Sequence, residues 1–150
     1  MSRLAFLSPH EADVPGVSPL RVQSPAFTDV SALGKLEVRG EVDGIPIGPG
    51  RTLVVVEGDV RAERDRLSAA GYRVYDLTGA LAGLEVEGEA LLRRLTELDL
   101  DALPAIGSIA RGTPAVIERR GGERFRLFVP QELGQYVAEV VDDLAKGLAP

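Results

Sequence analysis

The sequence predicts an α+β fold, an antiparallel or mixed sheet with helices packed on one face. Three observations carry that expectation. Short segments alternate as strands do, most cleanly Leu84-Glu85-Val86-Glu87, where Leu84 and Val86 point one way and the glutamates the other. Two stretches place apolar residues at helical spacing: Leu91, Leu92, Leu95 and Leu98, then Leu133, Tyr136, Val137, Val140, Val141 and Leu144. From Arg51 onward the order is strand, helix, two strands, helix, several strands, helix, which matches an α+β layout.

Residues 1–25 carry Pro9, Pro15, Pro19 and Pro25 and read as an extended Pro-rich arm, because proline fixes φ and removes a donor. Residues 26–150 read as a single α+β domain. Its first strands are expected near Ala26–Val30 and Lys35–Arg39. Gly44–Thr52 is rich in Gly and Pro and reads as a turn before a strand; it lacks the Gly-x4-Gly-Lys pattern and the free N–H groups of a phosphate loop. Arg51–Glu57 is a buried-type strand. Asp59 can cap a helix over Val60–Ala70, which Gly71 stops. A strand near Tyr72–Thr78, the strand ending at Gly88 and the Leu91–Leu98 helix follow. Strands are then expected at Ile106–Arg111, Pro114–Arg119 and Arg124–Val129, the last two joined by a hairpin turn over Arg119–Glu123. Pro130 marks the change to the terminal helix.

A weaker copy of the central stretch lies upstream, and residues 27–41 align with 74–89. Phe27-Thr28-Asp29-Val30-Ser31 matches Val74-Tyr75-Asp76-Leu77-Thr78, and Leu36-Glu37-Val38-Arg39-Gly40-Glu41 matches Leu84-Glu85-Val86-Glu87-Gly88-Glu89. Both read acid, aliphatic, hydroxyl, then a strand closed by Gly-Glu, the pattern expected of an internal duplication.

Composition narrows the function. The chain has 150 residues, 45% of them hydrophobic, which suits one domain with an ordinary core. Its formal charge of −6 opposes a nucleic-acid surface, which needs a basic stripe. There is no cysteine, and the single histidine is His10, so no thiolate chemistry, metal site or Ser-His-Asp triad is expected. No apolar run approaches the roughly 18 residues of a membrane span, and the start is too short in apolar residues for a secretory signal. A cytoplasmic protein is expected.

The candidate contact surface is the cluster Arg111, Arg119, Arg120, Arg124 and Arg126 around one hairpin, with Phe128 on the same strand face. These groups suit a carboxylate, a folate glutamate tail or an acidic partner; cross-strand pairing with Glu118 and Glu123 is the structural alternative. Asp29 and Asp76 recur before Ser31 and Thr78, either facing a ligand or accepting backbone N–H bonds in a tight turn. Glu85 and Glu87 read as a solvated sheet face. No catalytic residue is expected.

Tyr75-Asp76-Leu77-Thr78, Leu84–Ala90, Leu91–Leu98, the strands through Gly107–Val129 and the terminal helix resemble, in that order, the opening of the folate-binding aminomethyltransferases. The Ser18-Pro19-Leu20 arm and the upstream Leu36–Gly40 segment make the chain most similar to the gamma subunit family of heterotetrameric sarcosine oxidase. The resemblance spans residues 18–148. It implies the N-terminal part of the T-protein fold and an accessory, non-catalytic subunit of a flavoenzyme complex in one-carbon and amine metabolism. Flavin is then expected only on larger partner subunits, with none bound by this chain alone and tetrahydrofolate as a candidate ligand. A free-standing folate-binding or aminomethyltransferase-like protein, with a homodimer as one way to complete its pocket, is the alternative. Where the active transferases carry paired aspartates, this sequence reads Gly112-Thr113-Pro114-Ala115, which supplies no carboxylate to handle an amine proton.

Overall fold

The computed structural model describes residues 18–148, so the first part of the Pro-rich arm, with His10, lies outside the described residues. The chain is α+β, and its strands form two antiparallel sheets. The first sheet has the order β1 (Phe27–Asp29), β6 (Leu81–Glu87), β9 (Arg124–Pro130), β8 (Thr113–Gly121), β7 (Ala105–Ile109). The second has the order β3 (Ile45–Gly48), β4 (Arg51–Val56), β2 (Gly34–Arg39), β5 (Arg73–Asp76). Among the described residues three α-helices accompany them: α1 (Val60–Ala69), α2 (Glu89–Leu95) and α3 (Gly134–Leu148).

Alternation along the strands sorts the side chains into three cores. Ala82, Leu84 and Val86 of β6 and Phe125, Leu127 and Val129 of β9 meet Leu91, Leu92 and Leu95 of α2 and Val137, Ala138 and Val141 of α3. Leu36, Val38 and Val54 of the second sheet meet Leu67 of α1. Between the sheets, Ile45 and Leu53 face Val116 and Phe128. The layers therefore run α2/α3, first sheet, second sheet, α1. The expected α+β class, antiparallel strands with helices packed on them, holds, but the strands divide between two sheets and helices lie on the outer face of each. Each sheet buries one face under helices and the other against its partner, which a single period-2 pattern does not distinguish from a solvated face.

The elements follow local chemistry. The Asp59 carboxylate accepts the Ala62 N–H and starts α1. The α2 helix is one turn shorter than its leucine stripe suggests: Thr96 leaves helical geometry, and Leu98 packs from the following loop against the first core. Ile45–Gly48 is a strand, not a turn. Pro46 is accommodated because β3 is an edge strand and its ladder with β4 shifts register between Pro46 and Gly48. The described part of the arm lies on α3. Leu20 enters the first core, the Arg21 N–H donates to Gln135 Oε1 at 2.7 Å, and Ser24 Oγ donates to Asp142 at 2.6 Å.

The two similar segments cross one another. β1 pairs with β6, setting Phe27 opposite Val86 and Asp29 opposite Leu84. β5 pairs with β2, setting Val74 opposite Val38 and Asp76 opposite Leu36. Under the alignment of the segments these are the same pairs, each first strand bonded to the other segment's second strand. The flanking bonds repeat too: Val30 N to Gly83 O at 2.9 Å, and Leu77 N to Lys35 O at 2.7 Å. The crossing is a local pseudo-twofold, and it ties the two sheets together.

Candidate functional site

The β8–β9 hairpin closes through Gly122 and Glu123, with the register shifting between Arg119 and Gly121. Gly121 and Gly122 take positive φ (129° and 56°), which side-chain-bearing residues rarely adopt. Because pairing is antiparallel, charged residues fall into register across three strands: Glu85 of β6 lies opposite Arg126 of β9, which lies opposite Glu118 of β8. Alternating signs at neighbouring positions stabilise a sheet face.

The hairpin arginines are largely occupied. Arg119 donates to Gly122 O at 2.7 Å and Glu89 Oε2 at 3.2 Å, with its guanidinium 4.7 Å from the Phe125 ring centroid. Arg120 pairs with Glu118 at 3.4 Å and Glu57 at 3.6 Å. Arg124 is exposed and 3.9 Å from Glu85. Arg126 is buried, 7% exposed, and donates to Glu57 Oε1 at 2.6 Å. Phe128 is 1% exposed and packs between the sheets; the second sheet covers the face on which the sequence placed it beside arginines. Arg111 stands apart at the other end of β8. It takes positive φ (64°) in the three-residue turn joining β7 to β8, and it lines a cleft of about 530 Å³ with Arg93 and Arg94 of α2. The Asp76 carboxylate accepts the Thr78 N–H at 2.9 Å, as Asp29 accepts that of Ser31 at 2.9 Å. Both are turn-forming contacts.

A second cleft, of about 580 Å³, opens beside the hairpin between the sheets, lined in part by Ile45, Leu53, Glu57, Glu118, Arg120 and Arg126. The hydrogen bond from Arg126 and the positive charges of Arg126 and Arg120 hold the Glu57 carboxyl below its ordinary range. Glu89 is lowered by its bonds from Arg119 and Arg93. Carboxylates held as anions in this way are poor proton donors at neutral pH. Thr113, at the place where the aminomethyltransferase pattern calls for acids, is buried and turns its hydroxyl to Ala110 O at 3.3 Å. Among the described residues no three potential ligands of the His, Cys, Asp or Glu type gather to hold a metal ion. No helix among them is long and apolar enough to cross a membrane.

The sequence reading passed over Lys35. It is fully buried at the pseudo-twofold, and its Nζ donates to Ser31 O at 2.6 Å, Leu81 O at 2.7 Å and Thr78 O at 2.9 Å. Burial pushes its pKa down to about 8, against the opposing pull of Asp29 and Asp76. The available signal was a lysine one residue ahead of the apolar Leu36 and Val38, at a position whose counterpart in the second copy is Gly83.

The fold is a pair of antiparallel sheets joined by a crossing, with the hairpin arginines largely paired to acids of the same chain. No protein-family model matches the sequence, and no curated protein matches it. Among solved structures, a chain of heterotetrameric sarcosine oxidase from Corynebacterium sp. U-96, in complex with pyrrole 2-carboxylate, superposes with a TM-score of 0.67. The match covers 83% of this chain and 85% of that one at 16% identity. The two chains share a fold over more than four fifths of each.

Proposed function

We propose that this chain is a gamma-like accessory subunit of a sarcosine oxidase-like flavoenzyme complex of the cytoplasm, working in one-carbon and amine metabolism. It acts by packing against larger flavin- or folate-binding subunits and performs no chemistry of its own. The observation that carries the proposal is the likeness in fold, over more than four fifths of each chain, to a chain of a heterotetrameric oxidase. Two features support it. Glu57 and Glu89, the acids nearest the hairpin arginines, are paired with Arg126 and Arg119. Thr113 stands, hydroxyl engaged, where the transferase pattern calls for a carboxylate. In this proposal flavin belongs to the partner subunits, and tetrahydrofolate, where the complex uses it, binds with their help.

The test is purification of the tagged chain from its own cells, with identification of stoichiometric companions and an absorbance spectrum. The expected result is a large oxidase or dehydrogenase subunit and a flavin spectrum. A solitary, colourless chain overturns the proposal and makes folate titration of the isolated protein the deciding experiment for the free-standing alternative.

A further inference from the structure

We propose that the open end of the second sheet, the row Arg51, Arg39 and Arg73 with Tyr75 beside it, is a docking surface for an acidic segment of a partner polypeptide. Strand register builds the row. Arg39 of β2 lies directly opposite Arg51 of β4 on one side and Arg73 of β5 on the other. Directly opposed residues share a sheet face, and adjacent strands stand roughly 5 Å apart, so three guanidiniums sit side by side. This face buries Leu53 against the first sheet further along, but at the Arg39 end all three arginines are exposed.

Like charges directly opposite one another destabilise a sheet. The equivalent row of the first sheet avoids this with the sequence Glu85, Arg126, Glu118. The second sheet has one internal counter-charge. Glu37 accepts from Arg39 Nε at 2.7 Å and from Arg51 Nη2 at 3.0 Å, and its carboxyl is lowered accordingly, first by the bond from Arg51. Arg73 makes no ion pair among the described residues, and the next acids along the chain, Glu41 and Asp43, pair with none of the three arginines. The row therefore keeps a surplus of positive charge in a chain whose net charge is −6.

Two features favour a polypeptide. The Arg39 guanidinium lies 5.1 Å from the centroid of the Tyr75 ring, which is 44% exposed; stacking and the Glu37 bond hold Arg39 in one pose with N–H groups left for a carboxylate. β5 is an edge strand, so backbone groups beside the row remain open to an extended segment. A polyphosphate strand would meet the chain's overall negative charge. The inference draws on the assembly proposal only for the source of the acidic segment, and the two fail separately.

The probe is a fluorescent hexaglutamate peptide, titrated with the full chain and read by anisotropy at low salt. Binding is expected to weaken with added salt and to fall about tenfold or more in Arg39→Glu/Arg73→Glu, the loss expected for removal of charge-assisted contacts. The helix variant Arg64→Glu, at an exposed position of α1 away from the row and the hairpin, should bind like the parent. Should the double reversal not fold, Arg39→Gln/Arg73→Gln replaces it with the same expectation. Equal binding by parent and row variants overturns the proposal, as does an equal loss in Arg64→Glu. Tighter binding of a thymidine oligonucleotide than of the peptide would assign the row to nucleic acid instead.

Discussion

Asp29-Val30-Ser31 and Asp76-Leu77-Thr78 fold into the same turn, and each feeds a strand that pairs with the other segment, yet the residue at the crossing is Lys35 in one and Gly83 in the other. The hydroxyls act alike: Ser31 Oγ accepts the Gly83 N–H and Thr78 Oγ1 accepts the Lys35 N–H, both at 3.0 Å. The side chains do not. A Cβ on Gly83 would stand 3.0 Å from Val30 O and 3.2 Å from Phe128, whereas Lys35 reaches carbonyls of both segments. One side chain fills the crossing and the other is absent to make room. Local repetition thus set the backbone, and packing at the pseudo-twofold made the two segments unequal.

The most damaging way to break this inequality is to give Gly83 a branched side chain. Gly83→Val should cost about 3 kcal/mol, at the upper end of overpacking penalties, because Val30 O and the buried Phe128 have little room to yield. Chemical denaturation measures it, and a loss under about 0.5 kcal/mol would mean the crossing is looser than described.

Next comes Lys35→Met, which leaves three buried carbonyls without their donor. A net loss of about 2 kcal/mol at pH 7 is expected, since the unmet acceptors outweigh the relief of a buried charge. Its pH dependence sharpens the comparison. Lys35 has a pKa of about 8 in the folded chain and an ordinary value of 10.5. Between those values the unfolded chain keeps the proton that the folded chain releases, so parent stability rises with pH across that window. The burden of the buried charge is present in full below it. The rise amounts to about 3 kcal/mol, and Lys35→Met should lack it. Parallel stability curves for parent and variant across pH 8 to 10.5 would contradict the assignment.

The smallest effect separates the two hydroxyls. Ser31 is buried and Thr78 only partly so. Ser31→Ala should cost about 1.5 kcal/mol and Thr78→Ala roughly half that, because water can take the place of the partly exposed Thr78 hydroxyl more readily than that of buried Ser31. Equal melting points for the two variants would show that burial does not distinguish the turns.

The legible parts of the fold were those with one period and one boundary signal. Leu84 and Val86, the α3 stripe, Asp59 ahead of α1 and the glycines of the hairpin all carry their structural instruction within a few residues. The division into two sheets did not, since Phe128 and Leu53 show the same alternation whether a strand faces water or another sheet. Candidate-site residues were legible as charged positions on strands but not as partners. Arg126 meets Glu57 from 69 residues away, and that pairing depends on how the sheets stack. Arg39 and Arg73 become neighbours only through a ladder set by the crossing.

The sequence by itself determined most of the elements, their order, the repeated turn and the closing hairpin, because backbone propensity, capping and hydrophobic period act over short range; the edge strand Ile45–Gly48 and the early end of α2 were exceptions. Tertiary structure alone decided that β1 joins β6 and β5 joins β2, that Lys35 is buried while Arg39, Arg51 and Arg73 stand in an exposed row, and that the hairpin arginines meet acids of the same chain. Those outcomes depend on strand register and on the meeting of two sheet faces, and both are fixed by contacts between residues far apart along the chain.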